Sequence, residues 1–364
     1  MSPFPRPDYE PLRRYHFDRT PVALDVSDNT NQWGAHPAAL EVARRADDNA
    51  LARYPDLYAD DLRAAAAAHL GVPEACIATG CGSDDILDCA YRACAGGPDD
   101  FVAAAVPTFP MGLQLARMNG MGARSVPWAD ALADPRRLLE GGPVLVYVCR
   151  PNNPTGHLAP AEWVDALLEA AGEDGPLVIL DEAYIDFGGD SFATRAVGRT
   201  RTLVSRTMSK AFGLAGLRVG YAAGAPETIL EVEKARGPYK VSRMACAAAA
   251  VALADAEGWV ARTVSDCVAC RERAHAALSE RGLDPLPSLA NFILFRAPSG
   301  DARADALGIR SHGVAVRPFV GEYPDGTDAL RVTMAPWPLM ERFLDALDTF
   351  RGNPGRGPNQ ALPG

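Results

Sequence analysis

Five short apolar runs, FVAAAV (101–106), VLVYVC (144–149), LVILD (177–181), TLVSR (202–206) and LRVGYAA (217–223), alternate with longer segments of helical period. That alternation constrains the chain most, because successive β-then-α units close as a largely parallel sheet with helices on its faces. In PAEWVDALLEAAGE the spacing predicts a helix with Trp163, Ala166, Leu167 and Ala170 on one face. Beyond about residue 240 the texture changes. A single Ala-rich helix (244–264) is expected there, then strands in ANFILFRA, VAVRPF and ALRVTMA, and a helix in PLMERFLDALDTF. The reading is an α/β fold whose large domain (41–238) has a mostly parallel sheet and is joined to a smaller α+β domain (239–350). A Pro-rich arm (1–40) precedes them, and a Gly/Pro-rich tail (351–364) with nothing to bury is expected to be disordered.

The chain carries 46 acidic against 36 basic residues, a formal charge of -10, which disfavours nucleic acid or an anionic membrane as a partner. No run approaches the ~18 apolar residues of a membrane span, and the opening MSPFPRPDYEPLRR has no apolar signal region, so a cytoplasmic protein is expected. Eight cysteines in 364 residues do not make a disulfide framework. The lone C-x-x-C of Cys267 and Cys270 falls in a helical segment and reads as coincidence. Six scattered histidines give no support for metal chemistry.

In a doubly wound sheet, ligands gather at the carboxyl ends of the strands. Four such ends stand out: PTFPMG (107–112), RPNNPTG (150–156), DEAYIDF (181–187) and RTMSKAFGLAGLR (206–218). Lysine is scarce, with Lys210, Lys234 and Lys240 against 33 arginines. A lysine amine forms an imine with a carbonyl, which arginine does not, and Thr207, Ser209 and Arg218 beside Lys210 suit an anchored phosphate. A solvated loop lysine accounts for that segment equally well. Asp181 ends an apolar run where a carboxylate needs a cation or a capping role. Tyr184 and Asn153 supply a phenol and an amide, or merely core packing and a tight turn. In GCGSDD (80–85), Gly82, Ser83 and Asp84 open a helix whose amides suit an anion, although a simple cap fits as well and the dinucleotide fingerprint is incomplete.

Taken together, GCGSDD, PTFPMG, PNNPTG, DEAYIDF, SRTMSKAFGLAGLRVGY and LRVTMAP resemble, in order and spacing, the fold-type I class I/II aminotransferases that use pyridoxal 5'-phosphate, and among them the histidinol-phosphate aminotransferase group. The resemblance covers roughly residues 25–350. It implies that Lys210 holds the cofactor as an imine and shuttles the substrate proton. It pairs Asp181 with the pyridine nitrogen, Tyr184 and Asn153 with the phenolic oxygen, and Phe109 with the ring face. Gly82, Ser83, Asp84, Thr207, Ser209 and Arg218 would form the phosphate cup. Tyr54 matches a tyrosine that reaches the phosphate across a homodimer interface. Arg331 and the backbone of Gly34 would take the substrate α-carboxylate, and Arg317 a second anionic group.

Departures from the family pattern lie where side-chain specificity is set. Trp33 in NTNQWG replaces a Tyr, and Lys240 in PYKVSRMA replaces an Asn with Arg243 three residues on, so all three are candidate substrate contacts. The leading expectation is amino transfer between histidinol phosphate, or a related amine, and 2-oxoglutarate. A decarboxylase, lyase or cyclase using the same cofactor, and a nucleotide-binding oxidoreductase, are the alternatives.

Overall fold

The computed structural model describes residues 4, 9, 10, 12, 20–97 and 99–352, so 15 of the 40 residues of the Pro-rich arm and the tail beyond 352 lie outside the described residues. In chain order the described strands are β1 (Leu24–Asp25), β2 (Ile77–Gly80), β3 (Phe101–Val106), β4 (Gly122–Pro127), β5 (Leu145–Cys149), β6 (Leu177–Asp181), β7 (Thr202–Thr207), β8 (Gly220–Ala223), β9 (Phe292–Arg296), β10 (Val314–Ala315), β11 (Arg317–Phe319) and β12 (Ala329–Thr333). Seven form one sheet in the order β2-β8-β7-β6-β5-β3-β4. The run from β4 to β7 is parallel, and β8 lies antiparallel between β7 and β2. Every residue of β5 and β6 is buried, which is why both read as unbroken apolar runs.

Two strands lacked such a run in the sequence. β4 is an edge strand, GARSVP, with only Val126 buried, and β2 is a four-residue segment ending in glycine. LRVGYAA, expected to be extended throughout, begins as a 3₁₀ turn (Ala215–Leu217), passes through left-handed Arg218 (φ 51°) and becomes a strand only at Gly220. VAVRPF divides likewise: β10 pairs in parallel with β1, while β11 joins the antiparallel sheet β11-β12-β9. In the helix Ala161–Ala171 the buried residues are Trp163, Val164, Leu167 and Leu168, and Ala166 and Ala170 are exposed. The larger side chains set the buried face, since alanine has little apolar area to hide.

The expected single Ala-rich helix is two, Arg243–Ala254 and Trp259–Glu280, bent by 74°. Asp255 (φ 38°) and Gly258 (φ 64°) turn the chain left-handed, and the Asp255 carboxylate then accepts from the amides of Trp259 (2.8 Å) and Val260 (3.1 Å). His36, buried against the Trp259 ring, meets the same carboxylate at 3.1 Å. Cys267 and Cys270 sit on the second of these helices, and all eight cysteines are free thiols. Among the described residues no single helix is long and apolar enough to cross a membrane.

Asp255 thus ends one helix with its left-handed backbone, and its carboxylate starts the next and ties it to the segment before Pro37. Asp255→Ala is expected to lower the unfolding free energy by about 1–2 kcal/mol, the scale of a lost N-cap, with an unchanged denaturant slope, whereas Asp255→Asn retains an acceptor and loses less. Urea unfolding of the three proteins checks this.

Candidate active site

The carboxyl ends of β5, β6 and β7, the turn after β3 and the start of the helix Ser83–Cys94 surround a cavity of about 400 Å3. Ser83, Asp84, Phe109, Asn153, Asp181, Tyr184, Thr207, Ser209, Lys210 and Arg218 all line it, together with Asp28, Thr30 and Cys149. Residues scattered over more than a hundred positions are gathered because parallel strands deliver their carboxyl ends to one edge.

Asp181 forms the base of the cavity. Its carboxylate is buried and accepts from the Tyr147 hydroxyl (2.7 Å) and the Ser205 hydroxyl (3.2 Å). Burial pushes its pKa up to about 6, while these two donors hold it down. Across the cavity Lys210 Nζ donates to the Asp28 carbonyl (3.3 Å) and stands 5.7 Å from the Tyr184 ring centre. Burial and then the Arg331 guanidinium bring the Lys210 pKa down to about 8, against the opposing pull of Asp28 and Asp84. The Tyr184 hydroxyl accepts from Asn29 Nδ2 (3.0 Å) and Asn153 Nδ2 (3.4 Å), and burial pushes the phenol above its ordinary range.

Close backbone approach builds the turn that precedes Ser83. A Cβ on Gly82 (φ +81°) would lie 2.7 Å from Arg218 Nη2, and one on Gly220 would lie 2.7 Å from the Ser83 amide. Two glycines therefore let the left-handed Arg218 fold over the helix start, where its Nη2 is 3.5 Å from Asp84 Oδ2. Gly82 brings no side chain to the cap, so the first amides of this helix and its dipole are available to an anion. Thr207 and Ser209 complete the rim, joined through their hydroxyls at 3.0 Å.

Beside the cavity, Arg331 on β12 donates from Nη1 to Asn153 Oδ1 and from Nη2 to the Ser27 carbonyl (3.0 Å), between the rings of Phe292 and Phe319. Arg317 is its direct partner in the β11–β12 register, so both project from one face of that ladder. Gly34 lies against the loop after Lys210, where its carbonyl would be 2.2 Å from any Cβ on Gly213. The other expected site residues stand outside the cavity wall. Trp33 is half-buried and packs on the main core. Tyr54 is 78% exposed and stacks on Tyr239 at 4.8 Å, with its carbonyl held by Arg243 Nη2 (2.7 Å). Lys240 is paired with Asp85.

Several contributors escaped the sequence reading. Tyr147 and Ser205 were hidden inside apolar strands, where a buried hydroxyl, which needs a partner, was the available signal. Asn29 had no local signal: its backbone is left-handed (φ 60°), and its amide and side chain meet Thr333 from the far end of the chain. Beneath the cavity a buried ionic layer also went unread. Arg206 bridges Asp186 (2.5 Å) and Glu182 (3.6 Å), and Arg150 lies 3.9 Å from Glu182 while donating to the Asp190 carbonyl (2.6 Å).

Residues 20–347 match the family model for aminotransferase class I and II. The chain belongs to that family. It is 36% identical over 345 residues to the histidinol-phosphate aminotransferase of Methylibium petroleiphilum, covering 92% of this chain and 91% of that one. It is 38% identical over 328 residues to histidinol-phosphate aminotransferase 2 of Ralstonia nicotianae, covering 87% and 86%. Among solved structures, the histidinol-phosphate aminotransferase of Sinorhizobium meliloti in complex with pyridoxal-5'-phosphate superposes with a TM-score of 0.87 at 28% identity, over 97% of this chain and 99% of that one. The chain is a pyridoxal phosphate-dependent aminotransferase, acting on amino and keto acids.

The aminotransferase cavity fits that cofactor on its own chemistry. It offers an amine of lowered pKa, a buried carboxylate with no cation paired to it among the described residues, and a helix start beside an arginine with no side-chain cap. Only the neutral amine adds to a carbonyl, so uptake of pyridoxal phosphate by cofactor-free protein is expected to quicken with pH and level off above about 8. Removing the like charge in Arg331→Met raises that midpoint, and removing the opposite charge in Asp84→Asn lowers it. Stopped-flow absorbance across pH measures both shifts.

Proposed function

We propose that this aminotransferase is a histidinol-phosphate aminotransferase, exchanging the amino group of that phosphorylated amine with 2-oxoglutarate. The observation that carries the substrate is the pair Arg331 and Arg317, directly opposite each other on one ladder, with Arg331 hydrogen-bonded to Asn153 at the cavity. Both guanidiniums also act on the Glu322 carboxylate, holding its pKa down against burial, and each can take a carboxylate or phosphate through two parallel hydrogen bonds, so the pair suits ligands that bring two anionic groups. Arg331 would grip the α-carboxylate of the acid partners together with the Gly34 backbone, and Arg317 the phosphate or second carboxylate. The names of the relatives at 36% and 38% identity support the same substrate.

Bound pyridoxal phosphate supplies a carbonyl for the amine and a ring that accepts the electrons released at the substrate Cα. The rest is the work of this chain's residues. Asp181 would hold a proton on the ring nitrogen, helped by the two hydroxyls that favour its ionised form. Tyr184 and Asn153 would serve the phenolic oxygen, and Phe109 the ring face. Gly82, Ser83, Asp84 through its amide, Thr207, Ser209 and Arg218 would hold the phosphate. Lys210 Nζ would receive the proton leaving the substrate Cα and hold it for return.

We read the working form as a cytoplasmic homodimer. Tyr54 supports this, since it is exposed and removed from its own cavity among further exposed apolar side chains, Leu51, Leu57 and Tyr58, which suits a residue serving a second copy. Eight free thiols suit a reducing compartment.

The test is an absorbance titration of the loaded enzyme with histidinol phosphate, glutamate, aspartate, phenylalanine and arginine. Conversion of the bound cofactor to its amine form by both histidinol phosphate and glutamate is expected. Conversion by glutamate alone overturns the substrate and leaves the aminotransferase. Arg331→Lys is expected to lower kcat/KM for glutamate roughly a hundredfold, the size of a lost two-pronged charged contact of about 3 kcal/mol.

A further inference from the structure

Lys240 is one of three lysines in the chain. Its Nζ lies 2.5 Å from Asp85 Oδ1, with both side chains largely buried. The other oxygen of the same carboxylate, Oδ2, accepts from the Cys81 amide at 3.0 Å. Asp85 therefore bridges the end of β2 to the first turn of the helix Ser83–Cys94, closing the turn Gly80–Ser83 from behind. That closure is tight, since a Cβ on Gly80 would lie 3.0 Å from Asp85 Oδ2 and 2.6 Å from Ile86 Cγ1.

Lys240 is itself held in place. Val241, next to it, is buried, and Ser242 caps the helix Arg243–Ala254 by accepting from the Ala245 amide (3.2 Å). Its stem runs over Gly237, where a Cβ would stand 3.3 Å from Lys240 Cε. The charges at the helix start then balance. Two carboxylates occupy the first turn, Asp84 facing Arg218 and Asp85 facing Lys240. With both cations present, the helix dipole and amides act on an incoming anion without an opposing net charge. Without Lys240, the Asp85 carboxylate would remain unpaired beside the place proposed for a phosphate. An ammonium suits the position because it engages one oxygen and leaves the other for Cys81, whereas a guanidinium fork competes for both.

We propose that Lys240 is a positioning residue for the cofactor rather than a substrate contact: through Asp85 it holds the Gly80–Ser83 turn closed and charge-balanced for the phosphate of pyridoxal phosphate. The proposal rests on the reading that this phosphate sits at the start of the helix Ser83–Cys94.

The experiment measures the affinity of pyridoxal phosphate by equilibrium dialysis, and the phosphorus-31 NMR signal of the bound cofactor, for the wild type, Lys240→Met, Asp85→Asn, the double variant and Arg218→Met. Lys240→Met is expected to weaken cofactor binding roughly tenfold, the scale of one charge-assisted contact, more at low salt than at high, and to move the phosphorus signal. The double variant is expected to lose less than the two single losses combined, because Asp85→Asn removes the charge that Lys240 balances. Circular dichroism of each variant verifies folding. A Lys240→Met enzyme with unchanged cofactor affinity and phosphorus signal but a raised KM for histidinol phosphate overturns the proposal in favour of a substrate contact. Loss of affinity in Arg218→Met without loss in Lys240→Met overturns the proposal alone. No loss in either overturns it together with the placement of the phosphate.

Discussion

A carboxylate buried at the end of a central parallel strand is the constraint around which this molecule is arranged. Asp181 sits in a layer of apolar strands where an ionised group is stable only with donors around it, and two hydroxyls from neighbouring strands provide them. Tyr147 reaches Asp181 because β5 lies beside β6 in register, and its ring has room because residue 112 is glycine: a Cβ there would stand 2.5 Å from the ring. The Gly112 carbonyl in turn accepts from the buried Tyr91 hydroxyl (2.5 Å). Strand order, glycine placement and tyrosine burial thus all serve one charge.

The same economy governs the opposite wall. Left-handed Arg218 interrupts what would otherwise be a continuous strand, and the interruption brings its guanidinium over Gly82. The ionic layer beneath, with Arg206 between Asp186 and Glu182, ties the ends of β6 and β7 together, so the side chains facing the cavity stand on a braced floor.

Much of this is legible in the sequence. The buried strands β3, β5 and β6 announced themselves because strands covered on both faces need apolar residues throughout, β7 showed only through Leu203 and Val204, and the residues following all four proved to line the cavity. Illegible were elements whose reasons are not local. The edge strand β4 has one buried residue and reads as loop. The Ala-rich helix breaks at Asp255, an aspartate like any other until its carboxylate is seen capping the next helix and meeting His36 from far away in the chain. Lys240 looked like a substrate cation because lysine is rare here, and only the fold gave it Asp85 as a neighbour.

The sequence by itself determined the α/β class, the family and the types of group available to the cofactor, because hydrophobic period and residue chemistry are written along the chain and do not depend on which segments meet. Tertiary structure alone decided the partners: Tyr147 and Ser205 on Asp181, Asn29 on Tyr184, Lys240 on Asp85 and Arg317 opposite Arg331. The physical reason is that hydrogen bonds and ion pairs act over a few ångströms, so their outcome is set by which backbone segments packing brings together, and that packing is non-local.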